Sequence, residues 1–185
     1  MFLEGLPRDV IAFVDEAYYE FVDADDYPKT LPLIDKHPLI VTRTFSKAYG
    51  LAGLRIGYGI AQPDIIAAMD TVREPFNVNS LAQAAAVAAL DDSAFLARTR
   101  KTADEGKRYL TQALDALGVT YVPSAANFIL LELGPRAVEI AEALLRRGVI
   151  VREMSGWKLP GCLRVTIGTP PENRRFLQEF KRRLS

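Results

Sequence analysis

Three short apolar runs open the chain, and each ends in small or polar residues. Val10 to Val14 runs into Asp15-Glu16-Ala17-Tyr18. Pro38 to Thr42 runs into Arg43-Thr44-Phe45-Ser46-Lys47, and Arg55 to Ala61 is the third. A continuous run of this length predicts a strand buried on both faces, as in a parallel sheet. In an open α/β sheet, such strand ends line the ligand crevice. The period then lengthens. Residues 62–72 predict a helix with Pro63 in its first turn, and residues 74–79 are irregular. Ser80 is placed to cap an alanine-rich helix that runs to Leu90. Residues 93–117 predict a long amphipathic helix without proline, closed by Gly118. Beyond it the pattern predicts strands at 119–122 and 127–133, and a helix over 135–147 closed by Gly148. Strands at 149–152 and 163–167 and a helix over 170–184 complete it. The order from Gly118 is β-β-α-β-β-α, a small α+β layer. The long helix around Lys101 is the natural boundary, so residues 1–100 and 101–185 are expected to form two units.

Composition narrows the function. Of 185 residues, 49% are hydrophobic and 25% charged, which suits a folded globular chain rather than a disordered one. Lys plus Arg equals Asp plus Glu at 23 each, so no net charge draws the chain to nucleic acid or to an anionic membrane. No apolar run has the length of a membrane span, and the opening Met1-Phe-Leu-Glu-Gly lacks the pattern of a secretory signal. A cytoplasmic protein that handles small molecules is expected. The single cysteine, Cys162, excludes an internal disulfide framework. With one histidine, His37, it argues against Cys/His metal sites, and no metal is expected. A Ser-His-Asp triad would rest on His37 alone, and that residue precedes Pro38 and reads as a surface loop position. Trp157 reads as a packing residue, as do Tyr49 and Tyr58.

Thr44-Phe-Ser46-Lys47 followed by Gly50-Leu-Ala-Gly53-Leu-Arg55 carries the most chemistry. A glycine-rich loop lets backbone N–H groups and hydroxyls approach an anion, and an arginine can fork onto phosphate oxygens. Taken alone this is a generic phosphate-binding turn. A lysine beside a bound phosphate and a cation is also suited to form an imine with a carbonyl. Asp15, at the end of an adjacent strand, can pair with a protonated pyridine nitrogen and keep the ring an electron sink. Tyr18 could donate to a ring oxygen. Taken alone, Asp15-Glu-Ala-Tyr18 is a loop or helix-start acid; the two stretches on adjacent strands make a ring-and-phosphate site the better reading. Arg164 lies inside the apolar run Cys162-Leu-Arg-Val-Thr-Ile, and a buried arginine needs an anion.

Val14-Asp-Glu-Ala-Tyr-Tyr-Glu-Phe21 and Arg43-Thr-Phe-Ser-Lys-Ala-Tyr-Gly-Leu-Ala-Gly-Leu-Arg-Ile-Gly57 resemble a fold-type-I, pyridoxal-phosphate-dependent aminotransferase. The subfamily they resemble most is histidinol-phosphate aminotransferase. Ala126-Asn-Phe-Ile-Leu130, Gly148-Val-Ile-Val-Arg152 and Gly161-Cys-Leu-Arg-Val-Thr-Ile-Gly-Thr169 follow in family order. The resemblance implies an α/β fold: the C-terminal part of the large cofactor-binding α/β domain, then a small α+β C-terminal domain. It implies that Lys47 forms the cofactor imine and moves the proton between substrate Cα and cofactor C4′. Asp15 would pair with the pyridine nitrogen and Tyr18 with the ring oxygen. Thr44, Ser46 and Arg55 would bind the phosphate of pyridoxal 5'-phosphate. Arg164 would take a carboxylate of glutamate or 2-oxoglutarate. Arg152 would take the phosphate of histidinol phosphate, or be only an exposed strand-end charge. The complete enzyme of this family would be a homodimer of histidine biosynthesis.

In the family the aspartate and lysine motifs lie well inside the chain, whereas here Asp15 stands near the start. The resemblance therefore implies that about half of the family's length is absent. That half would carry a glycine-containing phosphate loop, the aromatic that stacks on the ring, an asparagine to the ring oxygen, and a tyrosine offered across the dimer. The chain is expected to be a fragment, a truncated product or one piece of a split protein, inactive alone. Within the same fold, an aromatic amino-acid aminotransferase or a threonine-phosphate decarboxylase stays open, as does a non-catalytic remnant.

Overall fold

The computed structural model describes residues 2–184; Met1, the first residue of the stretch assessed as a leader, lies outside them. The chain divides into two compact units, Met1–Ala97 and Arg98–Ser185.

The first unit is built on a sheet of β1 (Ala12–Asp15), β2 (Leu39–Thr44) and β3 (Gly57–Ile60), in that order. β1 and β2 are parallel, with Ala12 opposite Leu39 and Asp15 opposite Thr42. β3 is antiparallel to β2, pairing Val41 with Ile60 and Thr44 with Gly57. The expectation of parallel strands thus holds only for the first pair. A parallel return needs a crossover that spans the sheet, and the loop between β2 and β3 holds only the short helical turn Ala52–Leu54. Leu39 and Val41 are fully buried and, with Ile34, gather Val14, Leu33 and Ile60 into a small core. Burial on both faces fails for β1, where Phe13 is 64% exposed. Among the described residues β1 is an edge strand.

α1 (Pro63–Val72) begins with proline in its first turn, where the missing N–H costs nothing. α2 (Ser80–Asp91) is capped by Asn79, not by Ser80: the Asn79 side-chain oxygen accepts the Ala82 N–H at 2.8 Å. Asn79 has the extended backbone a cap requires, and Ser80 becomes the first helical residue.

α3 (Ser93–Ala116) is the long helix, and the division between the units falls within it. The second unit continues with β4 (Thr120–Val122), β5 (Phe128–Glu132), α4 (Ala137–Leu145), β6 (Arg152–Glu153), β7 (Cys162–Thr166) and α5 (Pro170–Leu184). Its sheet runs β4-β5-β7-β6 and is antiparallel throughout. Leu110 and Leu114 of α3, Ile140 and Leu144 of α4, and Phe176 and Phe180 of α5 close over Ile129, Leu131 and Leu163. α3 and α4 end alike. Gly118 and Gly148 adopt φ of 65° and 74°, and the next residues, Val119 and Val149, donate back to Leu114 and Leu144 at 3.0 Å. Both ends are the six-to-one closure that a glycine at this position allows. Trp157, expected to pack, is 64% exposed instead, on a short helical turn between β6 and β7.

Candidate active site

Asp15 is the last residue of β1, and its side chain accepts the Ala17 N–H at 2.9 Å, which turns the chain away from the sheet. Tyr18 follows on that turn. β2 ends at Thr44, whose hydroxyl oxygen accepts the Ser46 N–H at 3.1 Å. Phe45 between them is buried and packs against the rings of Tyr49 and Tyr58 at 5.0 and 5.7 Å, so the turn is anchored from beneath. Lys47 is exposed, and its Nζ stands 5.3 Å from the Tyr18 ring centroid, within reach of a cation–π contact. The loop closes through Gly50 N–H to Lys47 O at 3.0 Å and Leu51 N–H to Phe45 O at 2.9 Å.

Arg55 sits where this loop rejoins the sheet. Phe45 N–H donates to Ile56 O at 3.2 Å, so Ser46 and Arg55 flank one backbone bond. Arg55 is in the left-handed region at φ 54°, and its Nη1 donates to Ala52 O at 2.7 Å. A side chain held in that region costs about 1–3 kcal/mol, which is a mark of functional loops. Gly57 comes next: a Cβ there would lie 2.7 Å from Arg43 O, so only glycine lets the strands close. Asp15, Tyr18, Thr44, Ser46, Lys47 and Arg55 are therefore gathered at the C-terminal ends of β1 and β2 and the loop after them. The set offers hydroxyls and a guanidinium for an anion, an amine for a carbonyl, and a carboxylate for a cationic nitrogen. Among the described residues no group of three or more His, Cys, Asp or Glu could hold a metal ion.

In the second unit Arg152 and Arg164 are directly opposed on β6 and β7. Opposed residues share a face, and like charges in that relation are destabilising unless an anion comes between them. Arg164 is half-buried, with its guanidinium 5.2 Å from the Phe128 ring centroid, while Arg152 is exposed. Among the described residues neither forms an ion pair with a carboxylate.

Behind the strand ends lies a charged cluster. Glu16 is 2% exposed, and one of its oxygens, Oε2, accepts Arg43 Nε at 2.9 Å and lies 2.8 Å from Arg43 Nη2. Oε1 accepts the hydroxyls of Thr30 at 2.6 Å and Tyr27 at 3.3 Å. The Arg43 guanidinium lies 3.7 Å from the Tyr19 ring centroid. Burial pulls the Arg43 pKa down, but hydrogen bonds to Glu16 and Tyr58 outweigh it and hold the group above its usual value. Glu20 is also buried. Desolvation first, and the Glu16 charge as a smaller cause, push its carboxyl above the ordinary range.

The family model described as "Aminotransferase class I and II" matches residues 5–180. The chain belongs to this family. Histidinol-phosphate aminotransferase 1 of Nitrosococcus oceani is 52% identical over 178 residues, which is 96% of this aminotransferase chain and 48% of that protein. The structure of histidinol-phosphate aminotransferase from Sinorhizobium meliloti, in complex with pyridoxal-5'-phosphate, matches at a TM-score of 0.82 and 30% identity, over 99% of this chain and 51% of that one. A decarboxylase from Sulfurospirillum multivorans matches at a TM-score of 0.80 and 26% identity, over 95% and 53%. This chain spans about half the length of the curated aminotransferase relatives it matches.

Sequence reasoning about this aminotransferase missed Glu16, Arg43, Tyr27, Thr30 and Glu20 as a cluster. The available signal was one charge at the C-terminal end of each of two adjacent strands. Glu16 follows β1 and Arg43 lies within β2. Two such charges on adjacent parallel strands are placed to pair.

Proposed function

We propose that this chain is the C-terminal part of a pyridoxal-phosphate-dependent aminotransferase that exchanges the amino group between histidinol phosphate and glutamate or 2-oxoglutarate. Residues 1–100 would belong to the cofactor-binding domain and residues 101–185 would form the small domain. The observation that carries the reading is the gathering of Asp15, Thr44, Ser46, Lys47 and Arg55 at adjacent strand ends. When bound, pyridoxal phosphate supplies an aldehyde and an electron-withdrawing ring that accepts electrons as a bond to the substrate Cα breaks. Thr44, Ser46 and Arg55 would hold its phosphate with hydroxyls, the Ser46 turn and a forked cation. Asp15 would keep a proton on the ring nitrogen, and Tyr18 would orient the ring by its oxygen. Lys47 would bind the carbonyl through its amine and then carry the proton to and from the substrate carbon. Arg164 would bind a carboxylate and Arg152 the phosphate of histidinol phosphate. The opposed arginine pair supports a substrate with anionic groups. The complete enzyme would be a cytoplasmic homodimer in histidine biosynthesis; no helix of the described residues is long and apolar enough to cross a membrane.

Borohydride reduction of the chain mixed with pyridoxal phosphate, followed by peptide mapping, tests the assignment. The label is expected on Lys47. Label on Lys36 or Lys101 in its place would defeat it. A decarboxylase reading is kept by the shared fold, since one fold carries several chemistries. With the remaining half supplied, donor–acceptor turnover without carbon dioxide release separates the two.

A further inference from the structure

The buried Glu16–Arg43 pair lies outside the roles assigned above. Both residues are adjacent to site residues: Glu16 follows Asp15, and Arg43 precedes Thr44. Side chains alternate along a strand, so Asp15 and Thr44 share one face while Glu16 and Arg43 turn to the other. The register supports this, since Asp15 is opposite Thr42 and the next backbone bond, Glu16 N–H to Thr42 O, is 2.9 Å. That bond is the last between the two strands. Among the described residues the Asp15 side chain bonds only its own turn, at Ala17.

The Glu16 carboxylate ties down much more. Through Arg43, Thr30 and Tyr27 it joins the end of β1 to the end of β2 and to the loop at 27–30. The Tyr19 ring, 5.9 Å from that of Tyr27, stacks under the guanidinium and brings in the turn after Tyr18. A buried ion pair is a poor way to gain stability, because apolar residues of similar volume do as well or better. What it offers here is geometry: charge-assisted bonds with fixed directions at two strand ends.

We infer that Glu16 is a positioning residue: through Arg43 it fixes the ends of β1 and β2, and so the placement of Asp15 relative to the Thr44–Lys47 turn. This rests on the reading of Asp15 and Lys47 as the groups that hold the cofactor at its two ends. The clamp itself can be tested without cofactor.

Two variants serve. Glu16→Gln keeps the shape and removes the charge. The double variant Glu16→Leu with Arg43→Met removes the pair and leaves no orphaned charge. Amide hydrogen exchange in the cofactor-free chain reads the turns at Ala17 and Ser46, whose N–H groups bond Asp15 and Thr44. Loss of a charge-assisted bond predicts exchange faster by about tenfold or more at these two amides in both variants. Amides of β5 and β7 are expected to be unchanged. In parallel, the pH midpoint of the absorbance of the chain mixed with pyridoxal phosphate is expected to shift in both variants, as Asp15 loses its place. A double variant with wild-type exchange at Ala17 and Ser46 overturns the inference and leaves the pair as packing. Faster exchange with no borohydride label at Lys47 in the unsubstituted chain would retain the clamp and reject the cofactor reading beneath it.

Discussion

Arg152 and Arg164 look alike in sequence and differ in setting. Arg164 is half-buried beside Phe128, and Arg152 opposes it from the exposed end of the sheet. If they divide the anionic groups of substrate, Arg152→Ala should slow the histidinol-phosphate half-reaction more than the glutamate half-reaction, assayed with the remaining half of the enzyme supplied. A charge-assisted bond contributes about 1.5–3 kcal/mol, so the difference should be at least tenfold. Equal losses in both half-reactions would leave Arg152 structural. Glu20 gives a prediction that needs no partner. Its Oε2 is buried without a hydrogen bond, and desolvation raises its carboxyl above the ordinary range. The folded state then binds more protons than the unfolded one between the two pKa values, so stability falls as pH rises through that window. Arg43 opposes the shift and Glu16 adds to it, but burial is the larger cause. Glu20→Gln removes the charge. Its melting temperature relative to the unsubstituted chain should rise as pH is raised from the ordinary carboxylate range, about pH 4, through the raised value of Glu20. A constant difference across that range would show that Glu20 does not titrate there.

The elements show where sequence was legible and where it was not. The ends of α3 and α4 could be read from Gly118 and Gly148, because the left-handed closure needs a residue without a Cβ. The cap of α2 was misplaced by one residue, since Asn79 and Ser80 are both good caps and only backbone geometry chooses between them. The antiparallel turn of β3 was not legible, because an apolar run carries no direction. The position of Asp15 and of Thr44 to Lys47 at strand ends was legible, because polar groups there interrupt apolar runs. The Glu16 clamp was not, since its partners at 27–30 and 43 are distant in sequence and meet only in the fold. Gly106 belongs with the illegible set. Mid-helix it looks like a weak point that alanine would strengthen by about 1 kcal/mol. Yet a Cβ there would stand 2.6 Å from Ile167 Cγ2 and 2.8 Å from Asn173 Nδ2. Asn173 is held by two bonds of 2.9 Å to the Gly168 backbone and cannot simply move aside. Gly106→Ala should therefore lower stability, by about 1–3 kcal/mol, in a denaturant titration. A gain in stability would mean that α3 can shift away from the end of β7 at no cost.

At the scale of the whole chain, the surface decides behaviour. β1 is an edge strand among the described residues, and Ile11 and Phe13 on and beside it are 53% and 64% exposed. Leu81, Val87 and Leu90 of α2 are exposed as well, and Phe76 is 99% exposed before that helix. Apolar surface next to an unpaired strand edge is a template for association, and a formal net charge of zero does nothing to oppose it. The second unit has a larger buried cluster, formed by three helices and a four-stranded sheet, and should stay folded. The chain spans about half the length of its curated relatives, and on the proposed reading the stacking ring and part of the phosphate cradle would come from the family's other half. Stacking and several anion contacts together amount to several kcal/mol, or about a thousandfold in affinity. The chain alone is therefore expected to sediment as a concentration-dependent mixture, to hold pyridoxal phosphate weakly and to show negligible transamination. Phe13→Lys, which puts a charge on the open edge, should shift sedimentation toward the monomer. Turnover should appear when the N-terminal half of a relative is added in cis or in trans. A mass-verified chain of 185 residues that turned over histidinol phosphate alone at about 10 per second, an ordinary enzymatic rate, would sink this expectation. The proposed roles of Asp15, Thr44–Lys47 and Arg55 would then need nothing from the family's other half.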